Sequence, residues 1–177
     1  TDLGNTDEVA DLLKADPSIK LVYLETPANP TLACIDIEAL ARVTSLHNRY
    51  SAIDNTFATP YLQQPLLLGV DFVIHSTTKF LNGHGNSIAG VVIGKDAELF
   101  KQTIWNTMKL TGANCSPFEA WLVYQGMKTL PLRMDKHSSN ALLASTTLSN
   151  HPNVLRVNYP GLESHPDHAV AKKQMRA

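Results

Sequence analysis

β-rich runs and helical stripes alternate through the first ~110 residues, and that alternation admits few folds. Residues 7–14 space their apolar side chains helically, with Asp7 and Glu8 in the first turn. Residues 19–25 are β-rich and stop at Thr26-Pro27-Ala28-Asn29-Pro30, where two prolines let neither strand nor helix continue. Residues 36–50 place Ile37, Leu40, Ala41, Val43 and Leu46 on one helical stripe. Residues 51–54 read as a short strand, ended by Asn55-Thr56-Phe57-Ala58-Thr59-Pro60. A helical turn near Leu66 stops at Gly69. Residues 71–75 are the next strand, and residues 88–93, apolar on both faces, read as a central one. Residues 96–109 are helical. The expectation is a layered α/β domain with a mostly parallel sheet.

Beyond Gly112 the pattern changes. Ser116-Pro117-Phe118-Glu119 combines an N-cap, a proline at the first helical position and a capping-box acid, starting a helix that runs to about Lys128. A second helix over 133–149 follows Pro131, residues 154–159 read as a strand, and residue 167 onward as a helix. The sequence therefore divides into a large unit, 1–130, and the beginning of a smaller one, 131–177. Trp105 and Trp121 fall on helices and read as packing residues. The opening without methionine and the close inside a helix-compatible run suggest an internal piece of a longer protein.

Charge narrows the partners. A formal net charge of -1 provides no basic field for nucleic acid and no polybasic membrane patch. No segment is apolar enough for a bilayer span. Cys34 and Cys115 read as two free thiols in a reducing, cytoplasmic setting.

In open parallel α/β sheets, ligands bind at the carboxyl ends of the strands. Asn29, Asp54 and Lys79 each follow one strand, 25 residues apart, and so arrive at one sheet edge. A pyridinium cofactor has three handles there: an aldehyde for an amine, a ring nitrogen for an acid, and a phosphate for donors. Lys79 supplies the amine and Asp54 the acid that keeps the ring nitrogen protonated. Ser76 and Thr78 offer hydroxyls to the phosphate, and Asn29 a bond to the ring hydroxyl. Singly, each has a plainer role: Asp-Asn after a strand forms turns, and Ser/Thr clusters cap. Together, at three strand ends, they favour function.

These residues lie in runs that resemble a known family. Glu25 to Thr31, Asp54 to Gln63 and His75 to His84 look like the transsulfuration enzymes, the pyridoxal-phosphate-dependent enzymes of cysteine and methionine metabolism. The likeness continues through Ser116-Pro117, Lys128-Thr129-Leu130, Leu132-Arg133-Met134, His137, Tyr159 to Leu162 and His165-Pro166. The resemblance implies an aspartate-aminotransferase-like (fold type I) architecture, pyridoxal 5'-phosphate as cofactor, an amino-acid substrate and a homotetramer. It makes Lys79 the cofactor-bearing lysine, Asp54 the ring-nitrogen partner, Ser76 and Thr78 phosphate ligands, and Asn29 the residue beside the ring hydroxyl. It also implies that the groups gripping the substrate lie outside this chain, so that the chain alone would be inactive.

The implied chemistry is elimination or replacement at the γ-carbon of a sulfur amino acid or an activated homoserine. Methionine γ-lyases usually carry a lysine-aspartate pair before methionine-threonine-glycine, whereas this chain has Met108-Lys109-Leu110-Thr111-Gly112. That departure favours a cystathionine γ-lyase or γ-synthase, with methionine γ-lyase and the sulfhydrylase as alternatives. Two other classes fit less well. His75, His84, His165 and His168 lack metal-ligand spacing, and no G-x-G-x-x-G follows the first strand as a dinucleotide domain requires.

Overall fold

The computed structural model describes residues 2–176. Helix α1 (Thr6–Ala15) begins at Asn5, whose side chain accepts the Glu8 N–H, and buries Val9 and Leu13. Strand β1 (Leu21–Glu25) leads through the proline-rich turn to α2 (Ile37–Leu46), capped by Asp36 accepting the Ala39 N–H. The stripe expected to reach Tyr50 stops at Leu46. Asn48 turns the chain with a left-handed φ of 53°, which asparagine tolerates, and Tyr50 already opens β2 (Tyr50–Asp54). A short α3 (Thr59–Leu62) and a 3-10 turn (Pro65–Leu68), closed by Gly69 at φ 100°, feed β3 (Phe72–Ser76).

β1, β2 and β3 run parallel in that order, and β4 (Gly90–Gly94) joins β3 antiparallel. Among the described residues this strand therefore stands at the edge of the sheet rather than at its centre. β4 pairs only with β3, forms an edge among the described residues, and leaves Val91 and Ile88 exposed. Two apolar faces in a sequence do not distinguish a covered strand from one whose cover is missing.

One face of the sheet packs Val22, Leu24, Ile53 and Val73 against Val9, Leu13, Ile37, Leu40 and Ala41 of α1 and α2. Burying each such aliphatic side chain contributes about 1.5–3 kcal/mol, which fixes the strand register. The other face is open: Leu21, Tyr23 and Tyr50 are exposed on it. Asp54 sits in register between Glu25 and Ile74 on this face, and Ser76, two residues past Ile74, shares it.

After β4 come α4 (Ala97–Phe100), a π-helical stretch (Lys101–Trp105), α5 (Asn106–Thr111), α6 (Pro117–Met127) and α7 (Leu130–Ser149). The capping box of α6 is only half made. Ser116 accepts the Glu119 N–H, but the Glu119 carboxylate accepts from the Ile88 N–H instead of returning to Ser116. α7 begins at Leu130, ahead of Pro131, because the first helical turn tolerates proline. Residues 154–159 are irregular rather than a strand: no strand pairs with them among the described residues, and Leu155 is fully exposed. Trp105 and Trp121 do not pack inside; both stand half exposed, Trp121 stacking on Phe118.

α8 (His168–Gln174) returns to the start of α2. Lys173 pairs with Asp36 at 2.9 Å and Glu38 at 3.0 Å, and the Cys34 N–H donates to Asp167 at 2.9 Å. Both cysteines are free thiols. No helix among the described residues is long and apolar enough to cross a membrane.

Candidate active site

The parallel pairing brings the ends of β1, β2 and β3 to one edge. Asp54, half-buried at the end of β2, accepts the Thr56 N–H at 3.0 Å through Oδ1. The Tyr23 hydroxyl stands 3.5 Å from its Oδ2. Burial, then the carboxylates of Asp54 and Glu25, raise the Tyr23 phenol above its ordinary value. Thr56 ties two strand ends together: its hydroxyl accepts the Ser76 N–H at 2.8 Å. Asp54 and Ser76 are therefore one hydrogen-bonded residue apart across the edge.

Lys79 rides on the turn that follows β3. Its N–H donates to Ser76 O at 3.2 Å, and Gly83 N–H donates back to Lys79 O at 2.7 Å. The Lys79 side chain is exposed, and its amine makes no hydrogen bond or ion pair among the described residues. The Ser76 hydroxyl, half-buried, is likewise uncommitted among them. Thr78 differs. Its hydroxyl donates to Ala89 O at 3.2 Å and accepts from Ala89 N–H at 3.1 Å, so donating elsewhere means leaving that carbonyl. Asn29 lies exposed in the turn beyond β1, and no side-chain bond ties it to the other three among the described residues.

Behind the open face, His75 is buried with Nδ1 unpaired among the described residues. Burial lowers its pKa, opposed by the Asp54 charge and the Asn55 backbone, so the ring is neutral near pH 7. His84 donates Nδ1–H to Asn82 O at 2.6 Å and belongs to the loop after Lys79.

Residues 1–177 match the family described as Cys/Met metabolism PLP-dependent enzyme. The chain belongs to that family. It is 48% identical, over 99% of its length, to an L-methionine gamma-lyase of Fusobacterium nucleatum subsp. polymorphum, covering 44% of that protein. It is 45% identical to a cystathionine beta-lyase of Lactococcus lactis subsp. cremoris over 99% of this chain and 46% of the relative. Among solved structures, cystathionine gamma-lyase from Lactobacillus plantarum, complexed with L-serine, superposes with a TM-score of 0.96 at 42% identity, covering all of this chain and 46% of that one. The chain thus spans less than half the length of these relatives. The fold is that of the family's fold type I large domain, as the resemblance implied.

Three side chains that organise the edge carried no chemical signal in the sequence. Thr56 bridges two strand ends as above. Gln63, 1% exposed, donates to Thr26 O at 2.9 Å and Asn55 Oδ1 at 2.8 Å, while Gln174 of α8 donates to its Oε1 at 3.2 Å. Arg133 of α7 bonds the carbonyls that follow Lys79. Thr56 and Arg133 bond mainly to main chain, and Gln63 to one carbonyl and two amide side chains distant in sequence, none of which leaves a periodic trace. The available hint was their place inside the family-like runs.

Proposed function

We propose that this chain is the cofactor-bearing portion of a pyridoxal-phosphate enzyme that cleaves or replaces the γ-substituent of a sulfur amino acid or an activated homoserine. The supporting observation is the unpaired Lys79 amine on a turn held beside Asp54 through Thr56. The donor set fits the group: an uncommitted amine, a half-buried carboxylate and a free hydroxyl meet at the edge of an open sheet face. Bound there, the cofactor supplies an electron sink for a carbanion at the substrate α-carbon.

The chain's residues then divide the work. Lys79 would hold the cofactor through its amine and would carry a proton at Nζ. Asp54 holds a proton on the ring nitrogen through its carboxylate. Ser76 would donate its hydroxyl to the phosphate, Thr78 would join it on releasing Ala89, and Asn29 would bond the ring hydroxyl. Residues 1–130 make up the end of the large cofactor domain and 131–177 the start of the small one. The whole enzyme is a cytoplasmic homotetramer.

A second reading, methionine γ-lyase, draws support from the 48% identity to a methionine gamma-lyase. Assaying the whole enzyme against cystathionine, methionine and acylated homoserines, with the keto acid released from cystathionine identified, ranks the readings and exposes β-cleavage. Borohydride reduction followed by peptide mapping should fix the cofactor to Lys79. Lys79→Ala should abolish the cofactor's visible band, and a folded variant retaining it would overturn the assignment.

A further inference from the structure

We propose that Arg133 is a positioning residue for Lys79, its guanidinium clamping the turn that carries the amine onto the head of α7. The inference rests on Lys79 being the cofactor-bearing amine.

Within that turn, the carbonyls of Ser76, Thr77 and Lys79 accept the N–H groups of Lys79, Asn82 and Gly83. The next two carbonyls accept from Arg133. Nη1 donates to Phe80 O at 2.7 Å, and Nη2 reaches Leu81 O at 3.4 Å and Gly126 O at 2.9 Å. Nε donates to Thr129 Oγ1 at 3.1 Å, which fixes the plane of the fork. One cation therefore joins the two residues after Lys79 to the end of α6 and the start of α7. Bonds from a charged donor are about twice as strong as neutral ones, and a lysine has no rigid fork to replace them.

The packing around the clamp has the same arrangement. Gly83 turns with φ 71°, and a Cβ there would meet the Arg133 guanidinium. Leu81 is buried with Leu130 and Met134, and Phe80 packs edge-on to His137 at 5.3 Å between centroids. One face of α7, over two successive turns, thus grips consecutive residues after Lys79. The exposed Lys79 amine itself makes no hydrogen bond or ion pair among the described residues and stays free to react. Shifting the turn moves the amine without removing it, and a displacement of about 1 Å at a reacting group can cost 10²-fold in rate.

The test uses the whole enzyme carrying Arg133→Met and, separately, Arg133→Lys. Borohydride labelling of the wild type comes first; a label on any residue other than Lys79 overturns the underlying reading, whatever Arg133 does. With the label on Lys79, the proposal expects amide exchange over residues 79–83 in the apoenzyme to rise about tenfold in Arg133→Met. In the loaded enzyme, the pH midpoint of the cofactor band should move by about half a unit or more as the imine nitrogen's surroundings change. Turnover should fall about 10–100-fold with KM little changed. Arg133→Lys should show the same changes, smaller in size. Wild-type exchange with a wild-type midpoint overturns the proposal. So does faster exchange with an unmoved midpoint, which reduces Arg133 to a structural brace. If Arg133→Met does not fold, the same readings on Arg133→Lys decide.

Discussion

Replacing Gly126 by alanine should destabilise the enzyme, although in an exposed helix the same change gains about 1 kcal/mol. Gly126 is buried in α6 and its Cα rests on the backbone of Asn82. An added Cβ would run into the Asn82 carbonyl and lie within 2.8 Å of its C and Cα. These are main-chain atoms, so no flexible side chain can swing away. Asn82 is also held on several sides: its N–H bonds Thr77 O at 2.9 Å, its amide bonds Asn86 at 2.9 Å and its carbonyl accepts from His84. Forcing a methyl into a packed core costs about 1–3 kcal/mol. Losing one or two of the Asn82 bonds adds about 0.5–1.5 kcal/mol each. Against the helix-propensity gain, the net loss is about 0.5–5 kcal/mol. Urea unfolding at fixed protein and cofactor concentration would show a lower midpoint, and amide exchange should rise first at residues 80–84. An unchanged or higher midpoint would refute the reasoning.

Gln63→Leu keeps the volume but strands Thr26 O, Asn55 Oδ1 and part of Gln174; it should cost about 2–4 kcal/mol. A double variant with Gln174→Leu should lose less than the two single losses added, measured by the same urea midpoints. His75 is buried neutral with a lowered pKa, so its contribution is complete above the unfolded value near 6.5 and declines as pH falls through that value toward the folded one. His75→Gln should flatten that stretch of the stability–pH curve, and an identical slope would exclude the buried ring as its source. Burial, with Asp167 nearby, pushes the Cys34 thiol up to about 11, so native alkylation at pH 8 should spare it and denaturation should release it. Mass mapping of the alkylated peptides tests this directly.

The parallel part of the sheet was legible because each strand is bracketed by its own local signals. Pro27 and Pro30 end the first strand, Gly69 closes the turn ahead of the third, and the stripe from Ile37 to Leu46 marks a crossover. That regular spacing carries Asp54 and Lys79 to one edge. Position within the sheet was less accessible, since β4 is placed by pairing across residues distant in sequence. Residues 154–159 have strand composition without a strand, because a strand exists only with a partner to bond. The hydroxyls of Ser76 and Thr78 look alike in sequence, yet only coordinates reveal that Ala89 already occupies one of them. Arg133 escapes for a related reason: a side chain that serves the backbone has no partner type to search for.

The unpaired flank of β4 has a practical consequence. With Val91 exposed and β4 bonded to a strand on one side only among the described residues, it offers a template onto which a second β-segment can add. Produced by itself, the polypeptide will self-associate along this rim, and its solubility will track how well that rim is masked. A lysine introduced at Val91 should act as a gatekeeper and keep preparations of the isolated piece dispersed.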